Sequence, residues 1–183
     1  MRKTIIHRIM SEQNAAYVIE EPVSSTVNEP YLNEDNIIPQ TEAERLLQLQ
    51  KQRVTDDQIT YPDAGDFLEV PLISLDETEQ FKLTIQPGKF DFYKTSDQIR
   101  EKSTNLILAR LDIGSHPHKN PDNEIIDGPH IHFYREGYAD KFAKPIDPDI
   151  FTDPTNPWTT LQEFMTFCNI IKKPIIVRGA DQW

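Results

Sequence analysis

The sequence predicts an α+β protein: a curved antiparallel sheet packed with two helices, plus an N-terminal β-hairpin arm. Three features carry this. Short β-prone runs punctuated by turn residues fill the middle of the chain, two segments have helical apolar spacing, and the opening residues alternate with period two.

Taken in order, "KTIIHRIM" puts Ile5, His7 and Ile9 on one face and Ile6, Arg8 and Met10 on the other. "SEQN" supplies a turn and "AAYVIEE" returns, so residues 1–21 form a hairpin that must dock or pair to be stable. Residues 22–40 carry three prolines and many Asn, Ser and Glu, the composition of a surface linker. The core domain then spans 41–183. Thr41 and Glu44 have capping-box spacing, and Leu46, Leu47, Leu49 and Val54 make an apolar stripe, which predicts a helix over 42–54. That stripe serves packing or a homodimer. Strands are expected at "DFLEVPLISL", "QFKLTI", "KFDFYKTS", "TNLILARLDIG" and "PHIHFYREGY", joined as a meander, with a turn-rich loop over 115–128. "WTTLQEFMTFCNI" reads as the second helix, starting near Thr159 or Thr160, and "KPIIVRG" as a short closing strand.

Composition narrows the setting. No apolar run approaches the ~20 residues of a membrane span, and the basic start lacks a cleavage site, so no membrane and no secretory signal are expected. The single cysteine, Cys168, excludes an internal disulfide, fits a reducing cytoplasm and reads as a buried thiol. Net charge is −11, a poor balance for free-standing nucleic-acid binding and a better one for docking a basic protein. Arg2, Lys3, His7 and Arg8 form the densest basic cluster of the first half.

Four of the five histidines lie between residues 116 and 132. On a strand His130 and His132 project together, with Ile131 and Phe133 toward the core and the imidazoles toward solvent or a cleft. Arg110 and Asp112 share the opposite face to Leu111 on a strand that can run beside them. Three uses fit these residue types. Two imidazoles and a guanidinium can perform acid–base chemistry on a phosphodiester without a metal or other cofactor. His-x-His is also a metal half-site, which His116, His118, Asp112, Asp122 or Asp127 could complete. The plainest use is structural: His116 and His118 shape a turn, and His130 and His132 bond across strands. For "REGYADK", a glycine bend with an Arg135–Asp140 ion pair is the structural reading.

The run "NLILARLDIGSHPHKNPDNEIIDGPHIHFYREGYADKFAKPI" resembles a small family carried by bacterial mobile elements, over roughly residues 80–175. Its members share "RLD", an "NPDG"-like turn in which Asn123 stands here in place of the glycine, and "GPHxHxYREGY". With its basic front end, the chain is similar to type II anti-CRISPR proteins that inhibit Cas9. That resemblance implies Cas9 and its guide RNA as partners, and truncation of the RNA in a Cas9-dependent manner. Placed on this chain by side-chain chemistry, the function would use His7, Arg8, Tyr17, His130 and His132 for catalysis. Arg2, Lys3, Arg8 and Arg135 would contact RNA, while the acidic body engages Cas9. A non-enzymatic acidic blocker and a metal-dependent hydrolase are the competing functions.

Overall fold

A computed structural model describes residues 37–91 and 93–178. The expected hairpin and nearly all of the linker lie outside the described residues. Within them the protein is α+β, with a mostly antiparallel sheet and two helices. Among the described residues no helix is long and apolar enough to cross a membrane.

Helix α1 runs Gln40–Gln48, with Ala43, Leu46 and Leu47 buried. It is shorter than the periodicity predicts, and the expected Thr41 cap is absent: Pro39 precedes the helix without a side-chain cap. The helix stops because the following residues, Lys51–Arg53, are recruited as strand β1 against the sheet. Lys51 is fully buried there. Its ammonium donates to the carbonyls of Leu47, Leu49 and Cys168, at 2.8, 2.8 and 3.1 Å, so one side chain satisfies the helix end and ties it to the second helix. Val54, placed in the apolar stripe by spacing alone, is exposed.

After the short strand β2 (Gln58–Thr60) comes the meander: β3 (Leu68–Ser74), β4 (Gln80–Pro87), β5 (Thr95–Glu101) and β6 (Ile107–Ile113) pair in succession. A two-stranded ribbon, β7 (His118–Lys119) and β8 (Ile125–Ile126), occupies the loop expected to be only turns. Strands β9 (His130–Arg135) and β10 (Ala139–Pro145) then complete one side of the sheet. Helix α2 (Pro157–Phe167) is capped by Asn156, whose side chain accepts from the backbone of Trp158 and Thr159. Strand β11 (Ile170–Lys172) pairs parallel to β1, and β12 (Ile175–Val177) pairs parallel to β2. The eight-stranded order is β10-β9-β6-β5-β4-β3-β1-β11.

One strand is displaced from its expected place. "KFDFYKTS" contributes mostly a loop, and Phe90 is 91% exposed. The return begins at Thr95 because the chain first closes a turn, Gly88 N–H to Lys94 C=O at 2.7 Å. A Cβ on Gly88 would come within 2.7 Å of Lys94 Cβ, so only glycine fits this turn. The true strand, "TSDQIRE", buries Thr95, Asp97, Ile99 and Glu101 on alternate positions. Three of those four are polar, which hides the alternation from a hydrophobic pattern.

The core joins Leu83, Ile85, Ile99, Leu111 and Ile131 of the sheet to Leu161, Phe164 and Met165 of α2, all buried. Each such side chain contributes about 1.5–3 kcal/mol of burial free energy. Phe133 meets Phe167 at 5.8 Å between ring centroids, which puts α2 on the Ile131–Phe133 face. The other face of β9 carries His130 and His132.

Candidate metal centre

Strand pairing assembles most of the site. Asp112 of β6 lies opposite His130 of β9, Arg110 opposite His132, and Ser96 of β5 opposite Asp112. All five project from the face away from α2, at the sheet end where β9 begins and β6 finishes. The third imidazole comes from the ribbon. Asn120, buried just after β7, uses its side chain as a short strand: its amide nitrogen donates to Ala143 C=O at 3.0 Å and its oxygen accepts from Ala143 N–H at 2.8 Å. This docks the ribbon on β10 and swings His118 over the pair. Ring centroids are 4.5 Å apart for His118–His132, 5.5 Å for His118–His130 and 4.9 Å for His130–His132.

Backbone carbonyls orient each ring. His130 Nδ1 faces Gly128 C=O at 2.8 Å, His132 Nδ1 faces Asp140 C=O at 2.8 Å, and His118 Nε2 faces Lys141 C=O at 2.9 Å. A carbonyl can only accept, so the nitrogen facing it carries the hydrogen in the neutral ring. The lone pairs are then left on Nε2 of His130, Nε2 of His132 and Nδ1 of His118. One ligand atom from each ring lies within 4.8 Å of the others. Carbonyl partners behind converging imidazoles are the usual outer support of a metal ligand set.

Asp112 adds an oxygen. Its Oδ2 is 3.2 Å from His132 Nε2 and 3.7 Å from His130 Nε2. Burial alone would raise its pKa, but the His132 ring, wherever it is protonated, the Arg110 charge and a 2.6 Å bond from Ser96 Oγ outweigh it. The carboxyl is held well below the usual range and stays ionised. Burial lowers the His130 pKa from the ordinary imidazole value, which favours the neutral ring that a cation needs. Arg110 closes the group. Its Nε donates to Asp112 Oδ2 at 3.1 Å, Nη2 contacts His132 Nε2 at 3.0 Å, and Nη1 pairs with the Asp140 carboxylate.

Several sequence expectations are revised here. Of the two settings expected for His130 and His132, solvent or a cleft, open solvent does not hold: they are 2% and 0% exposed, because the ribbon covers a face that alternation alone leaves open. His116 is exposed and outside the cluster, as are Asp122 and Asp127. Asp140 pairs with Arg110 in place of Arg135. Arg135 instead stacks on Phe142, 4.2 Å from the ring centroid, away from the histidines. Arg2, Lys3, His7, Arg8 and Tyr17 lie outside the described residues. Ser96 and Asp140 join the site without a signal in the sequence; both act through strand partners distant in the chain, for which no local pattern exists.

Residues 38–170 match the model of a family described only as being of unknown function, DUF6978. That stretch contains every residue of the cluster. No curated protein and no solved structure matches the chain.

Proposed function

The chain belongs to the DUF6978 family, and we propose that it is a metal-dependent hydrolase whose ion is held by His118, His130, His132 and Asp112. The observation that supports this is the convergence of three imidazole lone pairs within 4.8 Å, each ring fixed from behind by a carbonyl. Three nitrogens and one carboxylate suit a divalent first-row ion, such as zinc or manganese, better than magnesium or calcium. An ion held by these four residues would supply Lewis-acid chemistry and a more acidic bound water. Metal-free acid–base catalysis is the weaker reading, because the His130 and His132 rings are too buried to touch a polymeric substrate.

Guide RNA in the Cas9 complex is carried as the proposed substrate on the strength of the resemblance. One experiment addresses both levels. Purified protein is assayed for bound metal, then incubated with guide RNA, with and without Cas9 and chelator. Near-stoichiometric metal, with hydrolysis lost to chelator and in His130→Ala, is the expected result. Full cleavage by chelated, metal-free protein overturns the metal-dependent reading, and intact RNA under every condition removes this substrate.

A further inference from the structure

Arg110 occupies an unusual position for a residue beside a cation site. A guanidinium is permanently charged and can only donate. Its Nη2 therefore uses the lone pair of His132 Nε2, at 3.0 Å, and its Nε uses one of Asp112 Oδ2, at 3.1 Å. These are the lone pairs a metal ion needs. One lone pair on an imidazole nitrogen cannot serve both, and two cations on the same donors repel.

The third contact gives the guanidinium somewhere to go. Nη1 is paired with the Asp140 carboxylate, while the Asp140 carbonyl accepts from His132 Nδ1. Asp140 thus holds Arg110 and His132 independently, so the guanidinium can pivot on the carboxylate without disturbing the ring. The Arg110 side chain is 25% exposed, unlike the buried His130 and His132. Pivoting turns Nε and Nη2, two donors in fork geometry, toward solvent beside the ion. Such a fork matches two oxygens of an oxyanion.

Resting on the metal-centre reading above, we propose that Arg110 is a gate coupling the ion to its substrate. Entry of the ion displaces the guanidinium from His132 and Asp112, and the released fork binds a singly charged phosphodiester next to the metal. Charge supports the choice of ligand. A divalent ion, one guanidinium and the carboxylates of Asp112 and Asp140 leave one net positive charge, which one phosphodiester neutralises. Arg110 is in this sense a positioning residue for substrate and a competitor for metal.

The test is a cobalt(II) titration of the full chain, with dimethyl phosphate as the probe and acetate as the control, in wild type, Arg110→Met and Arg110→Gln. Circular dichroism checks that each variant is folded, and the two side chains differ enough for one to serve if the other is unstable. Wild type should bind cobalt roughly tenfold more tightly with dimethyl phosphate than with acetate. The variants should bind cobalt roughly tenfold more tightly than wild type without any anion, and gain nothing from dimethyl phosphate. Cobalt affinity and phosphodiester response that are the same in all three proteins overturn the gate while leaving the metal centre standing. No cobalt uptake by any of them removes the centre and the gate together.

Discussion

His132 and Asp140 are joined from two sides. The ring's Nδ1 meets the Asp140 carbonyl at 2.8 Å, and the Asp140 carboxylate holds Arg110, whose Nη2 returns to the ring's Nε2 at 3.0 Å. Both nitrogens of a fully buried imidazole are therefore positioned by one residue on the neighbouring strand. The first consequence concerns metal uptake. His130→Gln and His132→Gln should each lower zinc or cobalt affinity by at least roughly 100-fold, more than loss of an outer-support residue. Isothermal titration measures this, and unchanged affinity in both variants would exclude these rings as ligands.

Asn120 touches none of the proposed donors, yet it should matter to the ion. Its two bonds to Ala143 hold the ribbon that carries His118. Asn120→Ala should weaken metal binding by about 10- to 100-fold while leaving the His130–His132 pair in place. Hydrogen exchange at the Ala143 amide should speed up in the same variant. Full metal affinity with a fast-exchanging Ala143 would mean that His118 does not need its dock.

Asp97 gives a pH signature from the opposite face of the sheet. It is fully buried, and burial, with added repulsion from Asp112, pushes its carboxyl up to about 7. In the unfolded chain the group ionises near 3.9, so the folded state retains a proton that the unfolded state has lost. Stability should therefore fall as pH rises from about 4 to about 7, by no more than about 4 kcal/mol. Asp97→Asn cannot ionise, and its melting temperature should gain on wild type progressively between pH 5 and pH 8. A gain independent of pH would show that the carboxylate is not the cause.

Lys51 offers a stability test remote from the histidines. Burial lowers its pKa to about 8, and three carbonyls accept from its ammonium. Lys51→Met keeps the stem but leaves the carbonyls of Leu47, Leu49 and Cys168 without this donor. Urea denaturation should show a loss of about 2 kcal/mol or more. Equal or higher stability would mean that relief from burying a charge outweighs the lost bonds.

Much of the fold was legible because it is written in local periodicity. Leu68–Ser74, Gln80–Pro87 and Ile107–Ile113 show as apolar strands, and the α2 segment as a helix. The errors share one physical origin. Strand β5 turns polar residues inward, and Lys51 ends α1 early because distant strands claim it. Burial of polar groups against non-local partners overrides local preference.

By itself the sequence determined that His130 and His132 share one face of a strand, with Ile131 and Phe133 on the other, since a pleated backbone allows nothing else. Tertiary structure alone decided that His118 joins them while His116 stays in solvent, that both strand histidines are covered, and that Arg110 rests on His132. These depend on register between strands and on the docking of a ribbon to a sheet edge. Such contacts are set by hydrogen bonds between residues far apart in the chain, which no short-range pattern encodes.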